Sequence, residues 1–277
     1  MTKTTLLSSV GAFALASISA TDAAAQDESR LGTITVTAQK RAEDIQDVPI
    51  SISAYGAEFI EASGVETLQD IALYSPNFNI STASSATNQR ITIRGVGSVA
   101  NNAIEPSVGV FIDGVYYPRT GAVLGNLIDL EAIEVLRGPQ GTLFGRNTPV
   151  GALNIRTKAA ARDGFEASLQ AGYGAFDAFT IGGSISGPIS DAAAFRISAK
   201  YNERDGYGDN LFTGENVGAR DDFNIRGKFE FDVTDQFNVV LSADYGELNY
   251  GGQIVELLDD TASPVFLGTL QALFGPD

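Results

Sequence analysis

The sequence has 277 residues and contains no cysteine, histidine or tryptophan. The lack of cysteine excludes disulfides and thiolate chemistry, and the lack of histidine excludes a Ser-His-Asp triad and argues against most zinc sites. Acidic side chains outnumber basic ones 34 to 18, a net charge of −16, which argues against nucleic acid as a partner. After residue 160 the chain carries 19 acidic and only 7 basic side chains, so we place a domain boundary there.

Residues 1–25 are predicted to be an export signal. Lys3 gives a basic start, a short apolar run follows, and Ala23 and Ala25 supply a small-residue cleavage site. The alternative interpretation of this segment is a buried helix. No later stretch reaches the roughly 18 apolar residues of a spanning helix, so we expect an exported protein without a membrane helix.

A short β-prone run, TITVTA from Thr33 to Ala38, lies within a linker of residues 26–45. Polar and charged residues flank it on both sides. We therefore interpret it as too isolated to belong to a hydrophobic core. A floppy linker is the alternative.

Residues 46–160 mix short strands with short helices. The stretch AEFIEASGVETLQDIALYSP predicts two short helices around Gly64 that stop at Pro76, with Leu68, Ile71 and Ala72 on one face. Strands are predicted at VPISISAYG (48–56), RITIRGVG (90–97), SVGVFIDGVYYP (107–118), AIEVLRG (132–138) and ALNIRTK (152–158). Together these elements predict a small α+β domain with a modest core of its own.

The stretch RGPQGTLFGRNTPVG, residues 137–151, contains four glycines. Glycines at this density indicate backbone that turns tightly or closely approaches another group. A phosphate-binding loop would have a lysine after its glycines and then a helix. Here strand-like ALNIRTK follows, so phosphate binding is disfavoured.

From residue 165 onward, apolar and polar side chains alternate with a period of two, which predicts strands with one apolar face. The segment DFNIRGKFEFD (222–232) is the clearest, because Phe223, Ile225 and Phe229 alternate with polar and charged residues. Similar strands are predicted at FEASLQAGY (165–173), DAFTIGGSISG (177–187), AFRISAKYN (194–202) and QFNVVLSADYG (236–246).

Two architectures fit these strands. A soluble sandwich buries the apolar face, whereas an outer-membrane barrel turns it toward lipid and keeps charges in a wet lumen. Strands of about 9–11 residues, aromatic residues near their ends, and one long connection at 203–222 between short ones favour the barrel. Because five strands cannot close a barrel, we expect residues 161–277 to be part of a larger one and the chain to be incomplete.

The order of these segments resembles the plug domain of TonB-dependent outer-membrane receptors. The matching stretches are ITIRGVG, PSVGVFIDGVYYPR, IEVLRGPQGTLFGRNT and GALNIRTK. Family members usually have Thr-Gly-Gly after the loop asparagine, but this chain has Thr148, Pro149, Val150 and Gly151, which affects the local turn rather than the family. The resemblance implies an α+β plug domain at residues 46–160, followed by the first antiparallel strands of a transmembrane β-barrel.

The resemblance identifies the β-prone run as a TonB box. It implies that TonB, which works with the inner-membrane ExbB and ExbD proteins, binds this run by strand addition to a sheet edge. The implied TonB-binding residues are Thr33, Ile34, Thr35, Val36, Thr37 and Ala38.

The resemblance also implies roles for the glycine-rich loop. Its glycines would let plug backbone turn tightly inside the barrel, and Arg137 and Arg146 would face acidic groups of the barrel wall or plug. Whether these arginines only fasten the plug or take part in transport stays open. The residues assigned to loop and plug–barrel contacts are Arg94, Arg137, Gly138, Gly141, Gly145 and Arg146.

Four residues after FIDGV are candidates for ligand contact: Tyr116, Tyr117, Arg119 and Thr120. The resemblance places them at an exposed apex of the plug. Packing within the loop is the alternative, and the sequence favours it.

The implied function is uptake of a scarce ligand across the outer membrane, driven through TonB by proton-motive force. A ferric siderophore is the commonest substrate of the family; an oligosaccharide, cobalamin or haem are alternatives, as is a passive pore with a periplasmic cap. The expected partners are TonB with ExbB and ExbD, the ligand and outer-membrane lipid.

An exported hydrolase that uses two carboxylates is disfavoured. The candidates Asp113, Asp129, Glu131 and Glu134 fall at predicted strand ends and turns, where acidic groups are usually solvated. We therefore expect no enzyme activity, no catalytic residue, no metal site and no cofactor, with iron present only in a transported chelate.

Overall fold

A computed structural model describes residues 35–37, 40–41, 43–82, 88–97, 105–209, 214, 216–234 and 236–252. These residues belong to one compact unit, Ile34–Asp277. The predicted export signal lies outside the described residues, as do Thr33, Ile34 and Ala38 of the predicted TonB box. None of the described helices has the length and apolar character needed to cross a membrane.

The described residues before position 160 form an α+β domain. Its helices are α1 (Ala57–Ala62), α2 (Leu68–Tyr74) and α3 (Gly141–Phe144), with a 3-10 helix at Thr120–Asn126. Its strands are β1 (Thr35–Val36), β2 (Glu43–Asp44), β3 (Ser51–Gly56), β4 (Phe78–Thr82), β5 (Gln89–Ile93), β6 (Val96–Gly97), β7 (Val108–Ile112), β8 (Val115–Tyr117), β9 (Leu130–Arg137) and β10 (Gly151–Thr157).

The central sheet of this domain has the strand order β3-β9-β10-β7-β8. The β10–β7 pair is parallel and the other pairs are antiparallel. Strands β4, β5 and β6 form a second, antiparallel sheet, and β1 pairs with β2.

Both faces of the central sheet are covered by apolar side chains. Ile133, Val135 and Ile155 belong to one buried cluster, which also includes Leu68 and Ile71 of α2. Alternate residues of the same strands point to a second cluster that contains Phe111, Leu136, Phe144, Ala152 and Val36. Burial on both faces explains why β7, β9 and β10 are near-continuous apolar runs rather than alternating ones. The prediction of an α+β domain with its own core is confirmed.

The two short helices lie where the sequence predicts them. The Thr67 side chain and Asp70 form a capping box that starts α2, and Leu68 and Ile71 are fully buried. Gly64 has a φ of +63° and reverses the chain between the helices, a conformation that glycine adopts without steric cost.

Two predicted strands are in fact hairpins. The segments 90–97 and 107–118 are each divided by a two-residue turn, at Arg94–Gly95 and at Asp113–Gly114. All four turn residues have positive φ, which is the geometry of tight β-hairpin turns. In the sequence, the Asp-Gly and Arg-Gly dipeptides inside the apolar runs indicate these turns.

The second part of the chain is a five-stranded antiparallel meander. Its strands are β11 (Glu166–Gly174), β12 (Ala178–Ser190), β13 (Ala193–Arg204), β16 (Arg220–Thr234) and β17 (Phe237–Tyr250), in the order β11-β12-β13-β16-β17. A small pair, β14 (Gly208–Asp209) and β15 (Asn216–Val217), lies in the long connection. All five predicted strands are confirmed, and four are longer than predicted.

The polar face of this sheet is the buried one. Arg226 and Lys228 on β16 are 3% and 8% exposed, whereas Phe223, Ile225 and Phe229 beside them are 37–39% exposed. A soluble sandwich would bury the phenylalanines and expose the charges. The observed orientation is that of an outer-membrane barrel wall, so the predicted barrel strands are confirmed and the sandwich is not supported.

The connections lie at opposite ends of the sheet. At one end Asp205, after β13, donates its N–H to Phe176 in the short β11–β12 turn. At the other end Asp232 donates to Ala192 in the β12–β13 turn. The long connection therefore shares one end with the 175–177 turn, whereas the turn at 191–192 and the connection between β16 and β17 share the other, as the sequence predicts.

Candidate functional site

The N-terminal segment is packed against the α+β domain. Thr35 and Val36 form β1, which pairs antiparallel with Asp44 and Glu43 of β2. Val36 is fully buried and belongs to the cluster around Phe111. The prediction that this run is too isolated to join a core is wrong, because its few residues find partners more than 70 positions away in the sequence.

Thr37 is held by a buried carboxylate on β9. Its main-chain N–H donates to Glu134 Oε1 at 2.8 Å, and its hydroxyl lies 3.3 Å from the same oxygen. Asn154 on β10 donates to Glu134 Oε2 at 2.9 Å, and the Arg156 Nε atom lies 3.8 Å from Oε1. We call Thr37, Glu134, Asn154 and Arg156 the Glu134 cluster.

The Glu134 side chain is completely buried in the middle of β9. A buried carboxylate is costly unless donors satisfy its oxygens, and here main-chain, amide and guanidinium groups surround it. The prediction that Glu134 is solvated at a strand end is therefore wrong. Its Oε1 atom accepts the hydrogen bonds that attach Thr37 to β9.

Lys40 adds a second contact between this segment and the domain. Its Nζ atom lies 4.6 Å from the ring centroid of Phe144 and 6.0 Å from that of Phe111. An ammonium over an aromatic face is attracted by the ring quadrupole. The segment after the predicted TonB box thus also rests on the domain surface.

The glycine-rich loop closes on itself. Gly138 donates its N–H to Val150, and Gln140 donates to Thr148, so that α3 lies inside a loop with paired ends. Gly138 and Gly145 have φ values of +98° and +81°, which supports the predicted tight turns at these two positions. Gly141 has no left-handed φ and starts α3 instead.

The turn at residues 148–151, where the chain departs from the family pattern, still ends with a glycine, Gly151. Gly151 lies so close to the Leu136 carbonyl that any Cβ atom would collide with it. The structure therefore requires glycine at position 151, while Pro149 and Val150 occupy the positions before it.

Arg137 does not face an acidic group. Its guanidinium donates to the Ser53 hydroxyl at 2.8 Å, the Ser75 hydroxyl at 3.0 Å and the Pro76 carbonyl at 3.1 Å. Within the described residues no carboxylate lies within ion-pair distance of it, so the predicted pairing is wrong for Arg137. Burial lowers the pKa of Arg137, and three neutral oxygens tie the end of β9 to β3 and α2.

The other two predicted contact arginines are exposed. Arg146 lies 3.8 Å from Glu105 in the same domain, with both side chains mostly in solvent, where such pairs contribute little. Arg94 occupies the β5–β6 turn with a φ of +54° and donates its main-chain N–H to Asn77. Its part in any plug–barrel contact stays a prediction.

Three of the four candidate ligand contacts are engaged in packing. The Tyr116 hydroxyl accepts a hydrogen bond from Asn147, and Tyr117 packs against the main core cluster. Thr120 is buried and donates to the Gln89 carbonyl at 2.9 Å. Its predicted place at an exposed apex is therefore wrong. Arg119 is exposed, and its contact with a ligand stays a prediction.

Asp129 joins the α+β domain to the barrel strands. Arg196 on β13 donates to it from Nε and from Nη2, the latter at 2.8 Å, and the Ser198 hydroxyl also donates to it. Burial alone would raise the pKa of Asp129, but the hydrogen bonds from Arg196 and Ser198 outweigh it and hold that pKa below its ordinary value. Asp129 is thus a largely buried, ionised partner of Arg196.

Asp113 forms a second, more exposed link to the barrel strands. Lys228 on β16 lies 2.9 Å from Asp113 Oδ2 and donates to the Thr157 carbonyl at 3.1 Å. Thr157 in turn donates its N–H and hydroxyl to Asp113. These hydrogen bonds and Lys228 hold the pKa of Asp113 below its ordinary value against the effect of burial.

Further hydrogen bonds lie beside these two links. Arg226 on β16 donates to the Ile128 carbonyl, and Glu230 on β16 accepts from the N–H of Ala160. Sequence reasoning missed these contacts. The charges on the polar strand faces are visible in the sequence, but no pattern there pairs them with particular residues of the α+β domain.

A comparison with protein families decides what this domain is. The family model described as TonB-dependent Receptor Plug Domain matches residues 44–152. The chain carries a TonB-dependent receptor plug domain.

Relatives of the plug-containing chain include a pesticin receptor and a siderophore receptor. It is 29% identical over 189 residues to the pesticin receptor of Yersinia pestis, a match that covers 67% of this chain and 27% of the relative. It is 26% identical over 164 residues to the catecholate siderophore receptor Fiu of Escherichia coli K12, which covers 57% of this chain and 20% of the relative. The chain thus spans about a quarter of the length of these relatives.

Solved structures share the plug and the strands that follow it. The ferric yersiniabactin uptake receptor FyuA of Yersinia pestis matches with a TM-score of 0.65 and 25% identity, over 71% of this chain and 31% of that one. The pyoverdine receptor FpvA of Pseudomonas aeruginosa PAO1 has a TM-score of 0.62 at 19% identity, over 77% of this chain and 30% of that one, and shows the same fold. The chain therefore contains a plug domain and part of a barrel.

Proposed function

We propose that this chain is part of an outer-membrane receptor that takes up a ferric siderophore, driven by TonB and the proton-motive force. The observation that carries the proposal is the plug packed on the polar face of strands whose apolar face is exposed. The receptors for yersiniabactin and catecholate siderophores among its relatives support the ligand class.

The exposed apolar face gives the strands their place in the membrane. Phe223, Ile225 and Phe229 of β16 and Ile181 and Ile185 of β12 point away from the plug. In water this surface would be an aggregation liability, but in the outer membrane it contacts lipid. The plug covers the opposite face and blocks free diffusion through the lumen.

Energy coupling depends on the N-terminal segment. TonB would add an edge strand to residues 33–38 by main-chain hydrogen bonds. In this structure Thr35 and Val36 are already paired with β2, and the N–H of Thr37 is bound to Glu134. The segment must leave these partners before TonB can hold it.

Deletion of residues 31–38 in the full-length receptor tests the coupling. We expect cells that grow under iron limitation on a siderophore panel to lose growth and uptake of the ⁵⁵Fe chelate, while chelate binding at the surface persists. A protonophore should give the same loss in the undeleted receptor. Uptake that survives both treatments would instead indicate a passive pore.

A further inference from the structure

A pocket of about 230 Å³ lies between the plug and the barrel strands, at the end of the sheet where the long connection leaves and returns. Arg204 ends β13, Arg220 begins β16 and Tyr250 ends β17, and all three line this pocket. Gln69 of α2 and Gln89 of β5 line it from the plug side. Because the long connections of outer-membrane barrels lie outside the cell, the pocket is at the end from which a ligand arrives. We call it the seam pocket.

Two arginines of the seam pocket are direct neighbours on the barrel strands. Arg204 and Arg220 are register partners in the β13–β16 pair, and like charges in such positions repel each other. Arg220 forms an ion pair with Asp222, which also accepts from Asn202. Arg204 donates from Nη2 to the Gly218 carbonyl, and among the described residues no carboxylate lies within ion-pair distance of it. The pocket therefore has a positive charge that no described acidic group neutralises.

Residues that line the seam pocket also carry buried polar atoms without a hydrogen-bond partner in the described part of the chain. These atoms are Nε of Arg204 and Oε1 of both Gln69 and Gln89. Gln89 as a whole is only 7% exposed. Unpaired buried polar groups are destabilising and rare in native proteins, so each needs an explanation. A ligand that accepts from the arginine and donates to the glutamines supplies the missing partners.

Together these atoms specify the chemistry of a ligand. The uncompensated charge and the free Nε atom select an anionic acceptor, and a guanidinium fits a carboxylate. The two glutamine oxygens require donors, and a cationic donor is disfavoured beside two arginines, which leaves a neutral donor such as a hydroxyl group. A volume of about 230 Å³ is smaller than the roughly 300–1,000 Å³ of pockets for drug-sized ligands, so it suits a small acid or one arm of a larger molecule.

Aromatic rings hold the two arginines in position. The Arg204 guanidinium carbon lies 5.4 Å from the ring centroid of Tyr207, and that of Arg220 lies 5.9 Å from the ring centroid of Tyr250. Both tyrosines also line the pocket. A guanidinium attracted to an aromatic ring has less freedom to turn away, so the donors of the pocket are ordered before a ligand binds.

We propose that the seam pocket binds a hydroxycarboxylate, an acid that carries a hydroxyl donor beside its carboxylate. Arg204 donates to the carboxylate, and the hydroxyl donates to Gln69 or Gln89. That this acid is an arm of the transported iron chelate rests on the proposed function. The residues predicted from the sequence for ligand contact do not line this pocket, so the seam pocket is a separate site.

Titration of the purified full-length receptor with citrate and with tricarballylate, followed by calorimetry, tests the proposal. Tricarballylate is citrate without its hydroxyl group. We expect citrate to bind and tricarballylate to bind roughly tenfold more weakly, because without the hydroxyl the glutamine oxygens stay unpaired. Absence of citrate binding, or equal affinities for the two acids, would overturn the proposal.

Variants of the lining residues show whether the acids bind in this pocket. Gln69→Met with Gln89→Met should remove the preference for citrate, and Arg204→Met should weaken the binding of both acids roughly tenfold or more. Arg162→Met is the matched control, because it removes the same charge from an exposed ion pair with Asp232 at the opposite end of the sheet. Equal losses in Arg204→Met and Arg162→Met would show that the acids respond only to net charge.

Gln89→Glu keeps the test decisive if Arg204→Met fails to fold. This change puts a carboxylate among the lining residues, where it repels an acidic ligand, so we expect both acids to lose roughly tenfold or more in affinity. Unchanged affinities in Gln89→Glu would contradict the proposal.

Ferric citrate distinguishes an arm of an iron chelate from a free acid. We expect it to bind the receptor and to lose affinity in Arg204→Met as citrate does. Binding of metal-free citrate alone would overturn the assignment to a chelate. Since binding to the purified receptor needs neither TonB nor proton-motive force, its result is independent of the uptake experiment.

Discussion

Thr37 donates its main-chain N–H to the carboxylate of Glu134, a fully buried side chain 97 positions later in the sequence. The contact binds the predicted TonB box to β9 of the central plug sheet. It adds to the β1–β2 pairing and the burial of Val36, which attach the same segment, and the Glu134 carboxylate accepts from both Thr37 and Asn154.

Replacing Glu134 should release the N-terminal segment. In Glu134→Ala the buried donors of Thr37 and Asn154 lose their acceptor, at a cost of about 1–3 kcal/mol. We expect trypsin to cleave the full-length receptor at Lys40 or Arg41 roughly tenfold faster, since 1.4 kcal/mol is a factor of ten. Glu58→Gln is the control, because Glu58 is exposed on α1 and lies outside the Glu134 cluster. Equal cleavage rates in all three proteins would contradict a holding role for Glu134.

The links Asp129–Arg196 and Asp113–Lys228 between plug and barrel strands should weaken only in acid. The pKa values of Asp113 and Asp129 are lowered in the folded protein, so their contribution is present above the ordinary value of 3.8 and is lost as the pH falls through the folded values. We expect the difference in melting temperature between the full-length receptor and its Asp129→Asn variant to be constant between pH 8 and pH 5 and to shrink below about pH 4. A difference that disappears near neutral pH would show that other groups control it.

The glycines of the 137–151 loop should not respond alike to substitution. Gly145 has a left-handed φ of +81°, so Gly145→Ala forces an unfavourable conformation that costs about 1–2 kcal/mol. Gly141 starts α3 with open space around it, so Gly141→Ala should be neutral or stabilise the plug by up to about 1 kcal/mol. Thermal unfolding of the two variants measures the difference. Equal melting temperatures would show that the loop adapts.

Tryptophan residues placed on the two faces of β16 should have different surroundings. We expect tryptophan fluorescence in Phe229→Trp to be quenched by brominated lipid, because Phe229 is exposed on the apolar face. In Asn224→Trp the side chain lies on the buried polar face, and the quenching should not exceed that of the unsubstituted receptor. The reverse result would place the apolar face inside a soluble particle.

The strands and their faces could be predicted from the sequence because the pattern is local. In 222–232 a period of two fixes both the strand and which residues share a face, whatever lies opposite. The choice between lipid and a second sheet needed further signals, namely strand length and loop length. The hairpin at Asp113–Gly114 could also have been predicted, instead of the single strand 107–118, because this dipeptide favours a two-residue turn.

The partners of buried charges could not be predicted. Arg137 was expected to meet a carboxylate but meets two serine hydroxyls and a carbonyl, and Glu134 was expected in solvent. Such partners are set by strand order and register over long separations: Arg196 and Asp129 are 67 positions apart. Val36 is an apolar example, because it packs in a cluster with Phe111 and Leu136, which lie far from it in the sequence.

The β9–β10 hairpin lies at the centre of the plug sheet, with β3 added to one edge and β7 to the other. A hairpin formed early in folding presents both of these edges ready made. We expect β3 and β7 to add to it as to a template, which spares them the slow search for the parallel β7–β10 register from an unstructured chain. Assembly of the plug sheet then depends first on the β9–β10 pairing.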